Sequence, residues 1–375
     1  MVLALVLVLV FPMAVAGTEK AADLEVTAES CVLLEADSGQ ILYTKNPDQR
    51  LAPASMTKLM TLILACEDLE KGKVGLKDQV VTSEEAWRLG GSQIWLEPGE
   101  EMSFEDMLIA IAVGSANDAC VAVAEHLEGS HEAFVARMNA EAQKMGLKNT
   151  HFVNSYGLPA EGHYSCARDM AVMGRYALRF PKLMEFSAIK EYHLRQGDLV
   201  LYNTNKLLWY YPGADGFKTG WTNEARFCLV ATAKRDGLRL VSAVFAAPDK
   251  GGNFRDSMKL FNYGFARYAY RSFFGAGSQC GMVRVGKGVE DQVEAVAAEQ
   301  VGAACPRGQE KKITYTADLP GYVNAPVKKG QRLGEISIYN DGKLIKKVNL
   351  VAYKAVDRGG LIRQLGKTMG KIFLI

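Results

Sequence analysis

The stretch that leaves this chain the fewest choices is Ser55-Met56-Thr57-Lys58 with the run behind it, Leu59-Met60-Thr61-Leu62-Ile63-Leu64-Ala65. A helix that is apolar on nearly every side has no solvent face and belongs inside a core. Pro53 and Ala54 lead into it, and proline suits a helix start because its missing N–H would be unpaired there anyway. Ser55 is therefore expected at the N-terminal end of a buried helix, with Lys58 three residues on and on the same face. A serine hydroxyl is a poor nucleophile without a base in hydrogen-bond reach. Lysine can be that base when burial or a second cation lowers its pKa. The four residues alone do not compel this reading, since about one Ser-x-x-Lys arises by chance in a chain of this length.

A length of 375 residues suggests two domains, or one large and one small. The formal net charge of +2 carries no strong global field of the kind that binds nucleic acid. Five histidines (His126, His131, His151, His163, His193) show no ligand spacing and no Cys-x-x-Cys occurs, so neither a metal nor another cofactor is expected. Residues 1–17 open with an apolar run too short to span a bilayer comfortably. Ala14-Val15-Ala16 has the small-x-small form of a cleavage site, so residues 1–16 read as a secretory signal. The basic residues expected before the run are absent, which fits a start upstream of Met1 or less efficient export. Export would place the remainder where thiols can oxidise, and the seven cysteines would leave at least one without an intramolecular partner.

Residues 30–36 and 40–43 flank Asp37-Ser38-Gly39 and read as a β-hairpin. Residues 78–81 read as a short strand. Ser103-Phe104-Glu105-Asp106 is close to a capping box and introduces a buried helix that ends at Gly114. Ser115-Ala116-Asn117 then places a polar trio between two buried helices; its plain alternative is that Asn117 caps the second one. The middle is mostly helical, with His163-Tyr164 in a loop where a surface or supporting role is expected rather than direct chemistry. Residues 217–222 alternate like a strand, and two strands joined at Asp236-Gly237 follow. An amphipathic helix over residues 253–270 closes the unit. Lys218-Thr219-Gly220 is a rarer triplet, with about one chance occurrence in ten such chains. It offers a cation and a hydroxyl to a carboxylate, and a glycine where a ligand backbone could approach closely.

Ser55/Lys58, Ser115/Asn117 and Lys218/Thr219/Gly220 thus fall in one order, each at an element end. That trio is the set shared by class A β-lactamases and penicillin-binding proteins. The chain resembles the D-alanyl-D-alanine carboxypeptidases, the low-molecular-mass penicillin-binding proteins of serine peptidase family S11. The resemblance also covers Gly39, Gly157-Leu158, His163-Tyr164-Ser165 and Asp215-Gly216-Phe217. It implies an α/β (α+β) fold, a β-lactamase/transpeptidase-like antiparallel sheet with helices on both faces, over residues 24–272. A small all-β domain would follow over 275–355, and an amphipathic membrane-associating helix over 358–375.

The resemblance implies that Ser55 attacks the carbonyl between two D-alanines of a peptidoglycan pentapeptide stem and that Lys58 takes its proton. Ser115 would relay a proton to the leaving amine, and Asn117 would hold the acyl-side amide. Lys218 and Thr219 would bind the terminal carboxylate, with Lys218 also keeping Lys58 neutral by repulsion. The backbone N–H groups of Ser55 and Trp221 would form the oxyanion hole. β-Lactams would acylate the same serine. The chain departs from many relatives at Ala116, at Trp221 and at Thr204. Two other readings are a β-lactamase-like hydrolase and a non-catalytic penicillin-binding sensor or scaffold. Against the first, no Glu-x-x-x-Asn stretch lies between Ser115 and Lys218; against the second stands the complete trio.

Beyond residue 275, Pro320-Gly321 and Asn340-Asp341-Gly342 mark the turns of the β-domain, expected to act as a spacer, with Cys280 and Cys305 able to pair. From Gly360 on, Leu361, Ile362, Leu365, Met369, Ile372 and Phe373 share one helical side and Arg363, Lys367 and Lys371 the other. Such a helix lies on an anionic membrane surface rather than crossing it. The expected location is the outer face of the cytoplasmic membrane.

Overall fold

A computed structural model describes residues 24–360. The expected signal segment and residues 361–375 of the terminal helix lie outside them. The first unit is built on a five-stranded antiparallel sheet. Its strands are β1 (Ser30–Glu35), β2 (Ile41–Lys45), β3 (Ala214–Thr222), β4 (Arg226–Arg235) and β5 (Leu238–Ala247), in the order β2-β1-β5-β4-β3. The central strands are buried on both faces because successive side chains alternate into two different cores. Val32 and Leu34 face a large helical core, while Cys31 and Leu33 face a second one. Asp236 and Gly237, both at positive φ, make the two-residue turn between β4 and β5 that their sequence calls for.

The large core holds α1 (Lys58–Glu70), α2 (Phe104–Ile109), α3 (Asn117–Glu128), α4 (His131–Lys144), α5 (Ala167–Ala177) and α6 (Pro181–Ala188). In α1 residues 58–66 are all buried, as the apolar run demands. Helix α7 (Gly252–Arg267) covers the opposite face of the sheet through Leu260, Phe261 and Phe265. It is shorter than its sequence pattern: Tyr268 leaves the helix and begins a strand, Tyr268–Phe274, that pairs with Val301–Pro306.

The second unit is a six-stranded sheet in the order Ile313–Asp318, Arg332–Asn340, Lys343–Ala352, Gln292–Ala297, Gln279–Gly286, Tyr322–Asn324. Only the last pair is parallel. Its own core contains Val283, Val293, Ile336, Ile338, Val348 and Leu350. Cys280 and Cys305 lie on strands of different sheets and both are free thiols, so the pairing allowed by the sequence is not made. Arg358 bridges Gly288, and the Gly359 N–H donates to Lys287 O at 2.8 Å. Residues 358–359 are therefore extended and tied to the β-unit, which corrects the expected helix start at 358. No helix among the described residues is long and apolar enough to cross a membrane.

Candidate active site

Ser55 sits in a single 3₁₀ turn, Ala54–Thr57, that feeds directly into α1. Lys58, the first residue of α1, is fully buried. Its Nζ reaches Ser55 Oγ at 2.9 Å, Asn117 Oδ1 at 2.7 Å and the carbonyl of Tyr156 at 2.5 Å. Two glycines let the neighbouring backbones close on this turn. A Cβ on Gly157, at φ +93°, would lie 2.0 Å from Ala54 O, and one on Gly220 would lie 2.7 Å from Pro53 O. The close approach at Gly220 is thus already taken up by the serine turn, rather than by a ligand backbone.

The second motif is shaped by its helix end. After α2 the chain widens into a π-type turn over residues 110–114, then Ser115 takes a left-handed conformation at φ +64°. Ala116 is the N-cap of α3 and makes no side-chain cap bond, so Asn117 is not the cap. Its amide instead turns inward, accepting from Lys58 and donating through Nδ2 to Gly90 O at 2.6 Å. Ser115 is buried beside it, and among the described residues its hydroxyl has no hydrogen bond to either lysine.

Lys218 and Thr219 lie on β3, whose edge faces the serine turn. Thr219 Oγ1 donates to Thr204 Oγ1 at 2.7 Å, and buried Lys218 reaches the same hydroxyl at 3.5 Å. Burial pushes both ammonium groups down, Lys58 to about 8 and Lys218 to about 7, and repulsion between the two cations adds to the shift at Lys218. The repulsion is mutual, so the pair titrates as a unit and sheds one proton well before the other. Trp221 turns its ring to solvent, against Phe227.

The residues 16–249 match the family model described as D-alanyl-D-alanine carboxypeptidase, and residues 268–358 match that of the penicillin-binding protein 5 C-terminal domain. The chain is 40% identical to D-alanyl-D-alanine carboxypeptidase DacF of Bacillus subtilis, over 94% of this chain and 92% of that protein. It is 35% identical to DacC of Escherichia coli, over 93% and 89%. The crystal structure of penicillin binding protein 5 from Haemophilus influenzae is 35% identical, with a TM-score of 0.68 over 89% of this chain and 98% of that one. The chain belongs to the D-alanyl-D-alanine carboxypeptidase family. It is a serine-type D-alanyl-D-alanine carboxypeptidase with the penicillin-binding protein fold and a C-terminal all-β domain.

Several groups in this carboxypeptidase site had no legible sequence signal. The Tyr156 contact uses a carbonyl, which any residue type supplies. The loop carrying it is held by Asn154, whose Oδ1 accepts from Tyr156 N at 3.2 Å and Gly157 N at 2.5 Å. His131 stacks on the Tyr156 ring at 5.6 Å and accepts from Ser155 N, while its Nδ1 faces Glu85 at 3.3 Å. His163 is buried, not on the surface. Burial is the main cause that pushes it down to about 4. Its Nδ1 accepts from Val153 N, so Nε2 carries the proton and donates to Thr57 beside Ser55 at 2.8 Å. The supporting role expected for His163 has this geometry as its basis. Thr204, marked in the sequence only as a departure, proves to join Lys218 and Thr219.

Proposed function

We propose that this carboxypeptidase removes the terminal D-alanine of a peptidoglycan pentapeptide stem through an ester on Ser55. The observation that carries the assignment is the set of three oxygens around Lys58 Nζ. A neutral amine keeps two N–H bonds, and Asn117 Oδ1 and Tyr156 O use both. The remaining lone pair is then directed at Ser55 Oγ, 2.9 Å away. The Ser55 proton passes to Lys58 as Oγ bonds to the carbonyl carbon. The C–N bond breaks, and the proton reaches the leaving amine by way of the Ser115 hydroxyl. Water then attacks the ester, with Lys58 again taking a proton, and Ser55 is regenerated. Lys218, Thr219 and Thr204 hold the free carboxylate, and Ser55 and Trp221 N–H groups stabilise the oxyanion, each worth about 3 kcal/mol of barrier. Asn117 holds Lys58 in place as well as the acyl-side amide. A β-lactam carbonyl would be attacked in the same way, trapping the ester. A solved relative, penicillin-binding protein D2 of Listeria monocytogenes, was crystallised in an ampicillin-bound form.

Ser55→Ala should abolish D-alanine release and covalent penicillin labelling while thermal unfolding is unchanged. Labelling that persists in this variant would remove Ser55 from the mechanism. The pattern of residues 1–17 supports export, and the basic amphipathic pattern after Gly360 supports attachment to the outer face of the cytoplasmic membrane.

A further inference from the structure

The chain has four tryptophans, and none is in a core. Trp87, Trp95, Trp209 and Trp221 are 48%, 67%, 40% and 57% exposed. Leaving an indole in water forgoes the burial that normally stabilises it. Each lies a few residues along the chain from a group of the site. Trp221 follows Gly220, and Trp209 lies on the segment that begins with Thr204. Trp87 and Trp95 flank the strip of residues 90–92 that is bonded to Asn117, whose N–H donates to Ser92 O at 2.7 Å and whose Nδ2 donates to Gly90 O. Each is three residues from that strip, within about 11 Å of chain.

Trp95 is held out deliberately by its backbone. Ile94 and Leu96 are buried on either side of it. Their N–H groups donate to the carboxylate of Asp118, at 3.0 and 3.2 Å, and Arg195 donates to Ile94 O at 2.7 Å. Trp95 itself sits at φ +53°, a left-handed conformation that a bulky residue rarely adopts. The clamp therefore fixes the strained backbone of an exposed tryptophan beside Asp118, the residue that follows the second motif.

The polarity of the cleft says what comes there. Lys218, Thr219 and Thr204 mark the carboxylate end, and Asn117 lies on the other side of Ser55. A stem docked by its terminal carboxylate leaves past Asn117 toward Trp87 and Trp95. Four residues separate the attacked carbonyl from the sugar that carries the stem, about 14 Å when extended. A sugar ring has a C–H face that the electron-rich face of an indole attracts. Glu84, Glu85, Glu97, Glu100 and Glu101 lie on the same two segments as the tryptophans, and Arg88 and Arg195 are neutralised by Glu84 and Glu100. This acidic strip repels an anionic bilayer but not a neutral sugar.

We propose that Trp95, with Trp87, is a stacking platform for the glycan sugar from which the stem hangs, so that the enzyme reads glycan-linked stems rather than free peptide. The inference rests on the carboxypeptidase reading above.

The test compares D-alanine release from a sugar-free pentapeptide and from the same pentapeptide on its disaccharide. The parent should favour the glycan-linked substrate about tenfold in kcat/KM. Trp95→Ala should remove most of that preference and change free-peptide turnover less than twofold, and Trp95→Phe should restore most of it. Because all four tryptophans are exposed, intrinsic fluorescence of Ser55→Ala should shift on titration with stem-free glycan strands, and the response should fall in Ser55→Ala/Trp95→Ala. Equal losses on both substrates would make Trp95 part of the peptide site and overturn the proposal. So would a fluorescence response to phosphatidylglycerol vesicles without one to glycan. Release from free peptide without any glycan preference defeats this inference alone, whereas no release from either substrate defeats the functional reading beneath it.

Discussion

Two lysines buried within one cleft set the chemistry and also strain the fold. Lys58 and Lys218 titrate near 8 and 7 in the folded chain against about 10.4 when unfolded. Between those values the unfolded chain binds more protons, so folding stability should rise with pH across roughly 7 to 10 and fall as pH drops through the folded values. Lys58→Met should remove part of that slope and raise stability near pH 7 by about 2 kcal/mol or more, while ending catalysis. Chemical denaturation at pH 7 and pH 9.5 would read both effects, and an unchanged slope would place the depressed titration elsewhere. Lys218 acts on activity differently. The substrate carboxylate holds the proton on Lys218, so the proton shed by the pair comes from Lys58. Acylation should therefore rise with pH through about 8. Burial is what lowers Lys58, and without a bound carboxylate Lys218 is the first of the two to lose its proton. Lys218→Gln should therefore leave the pH profile of acylation by an uncharged activated ester in place, while turnover of free-acid peptides is lost almost entirely. An ester profile that moves to higher pH would mean that repulsion from Lys218 also depresses Lys58.

The elements bring these side chains together by backbone contact more than by side-chain contact. The serine turn is gripped by Gly220 of β3 on one side and by Gly157 on the other. Gly157→Ala should be severe: the residue is at φ +93°, and a methyl group would press on Ala54 O. Roughly 1–3 kcal/mol of strain, together with a displaced serine turn, should lower both melting temperature and acylation rate, the latter more than tenfold. Normal acylation with lowered stability would show that the turn absorbs the shift. This also explains what could be read from the sequence. The apolar run behind Lys58, the Asp236-Gly237 turn and the three motifs are signals of residue type, and the folded chain brings the motifs together as read. The π-type turn before Ser115 was invisible because Ala110-Ile111-Ala112-Val113-Gly114 suits an ordinary helix equally well. Capping was the plain alternative for Asn117 because a polar residue at a helix start usually caps it; here α1 places a buried amine within its reach, and that partner lies 59 residues away. Tyr156, Asn154 and His131 escaped because their roles depend on where one loop passes.

At the scale of the whole molecule the two units meet away from the chemistry. Asp37, in the turn between β1 and β2, accepts from Tyr270 OH at 3.0 Å and Lys346 Nζ at 3.1 Å, and Lys346 also pairs with Glu299. Strand β1 is three steps across the sheet from β3, about 14 Å. The β-unit therefore docks near the edge opposite the catalytic strand, which suits a spacer that leaves the cleft open. Its last described residues bear on how attachment is to be tested. The Val327–Val356 and Gly288–Arg358 bridges and the Gly359 bond to Lys287 tie the segment after the sheet's last strand to the β-unit, so a cut before residue 360 would damage that unit as well as remove residues 361–375. A chain ending at Gly360 keeps all of them. It should melt as the parent does and release D-alanine from soluble peptide at the parental rate. On the proposed attachment it should also lose binding to anionic vesicles, because Arg363, Lys367 and Lys371, each worth about 1 kcal/mol near such a surface, go with the apolar residues interleaved with them. In the intact chain that binding should weaken as salt rises. If the shortened chain still sediments with the vesicles, the membrane contact is made elsewhere in the mature chain or by an uncleaved N-terminus.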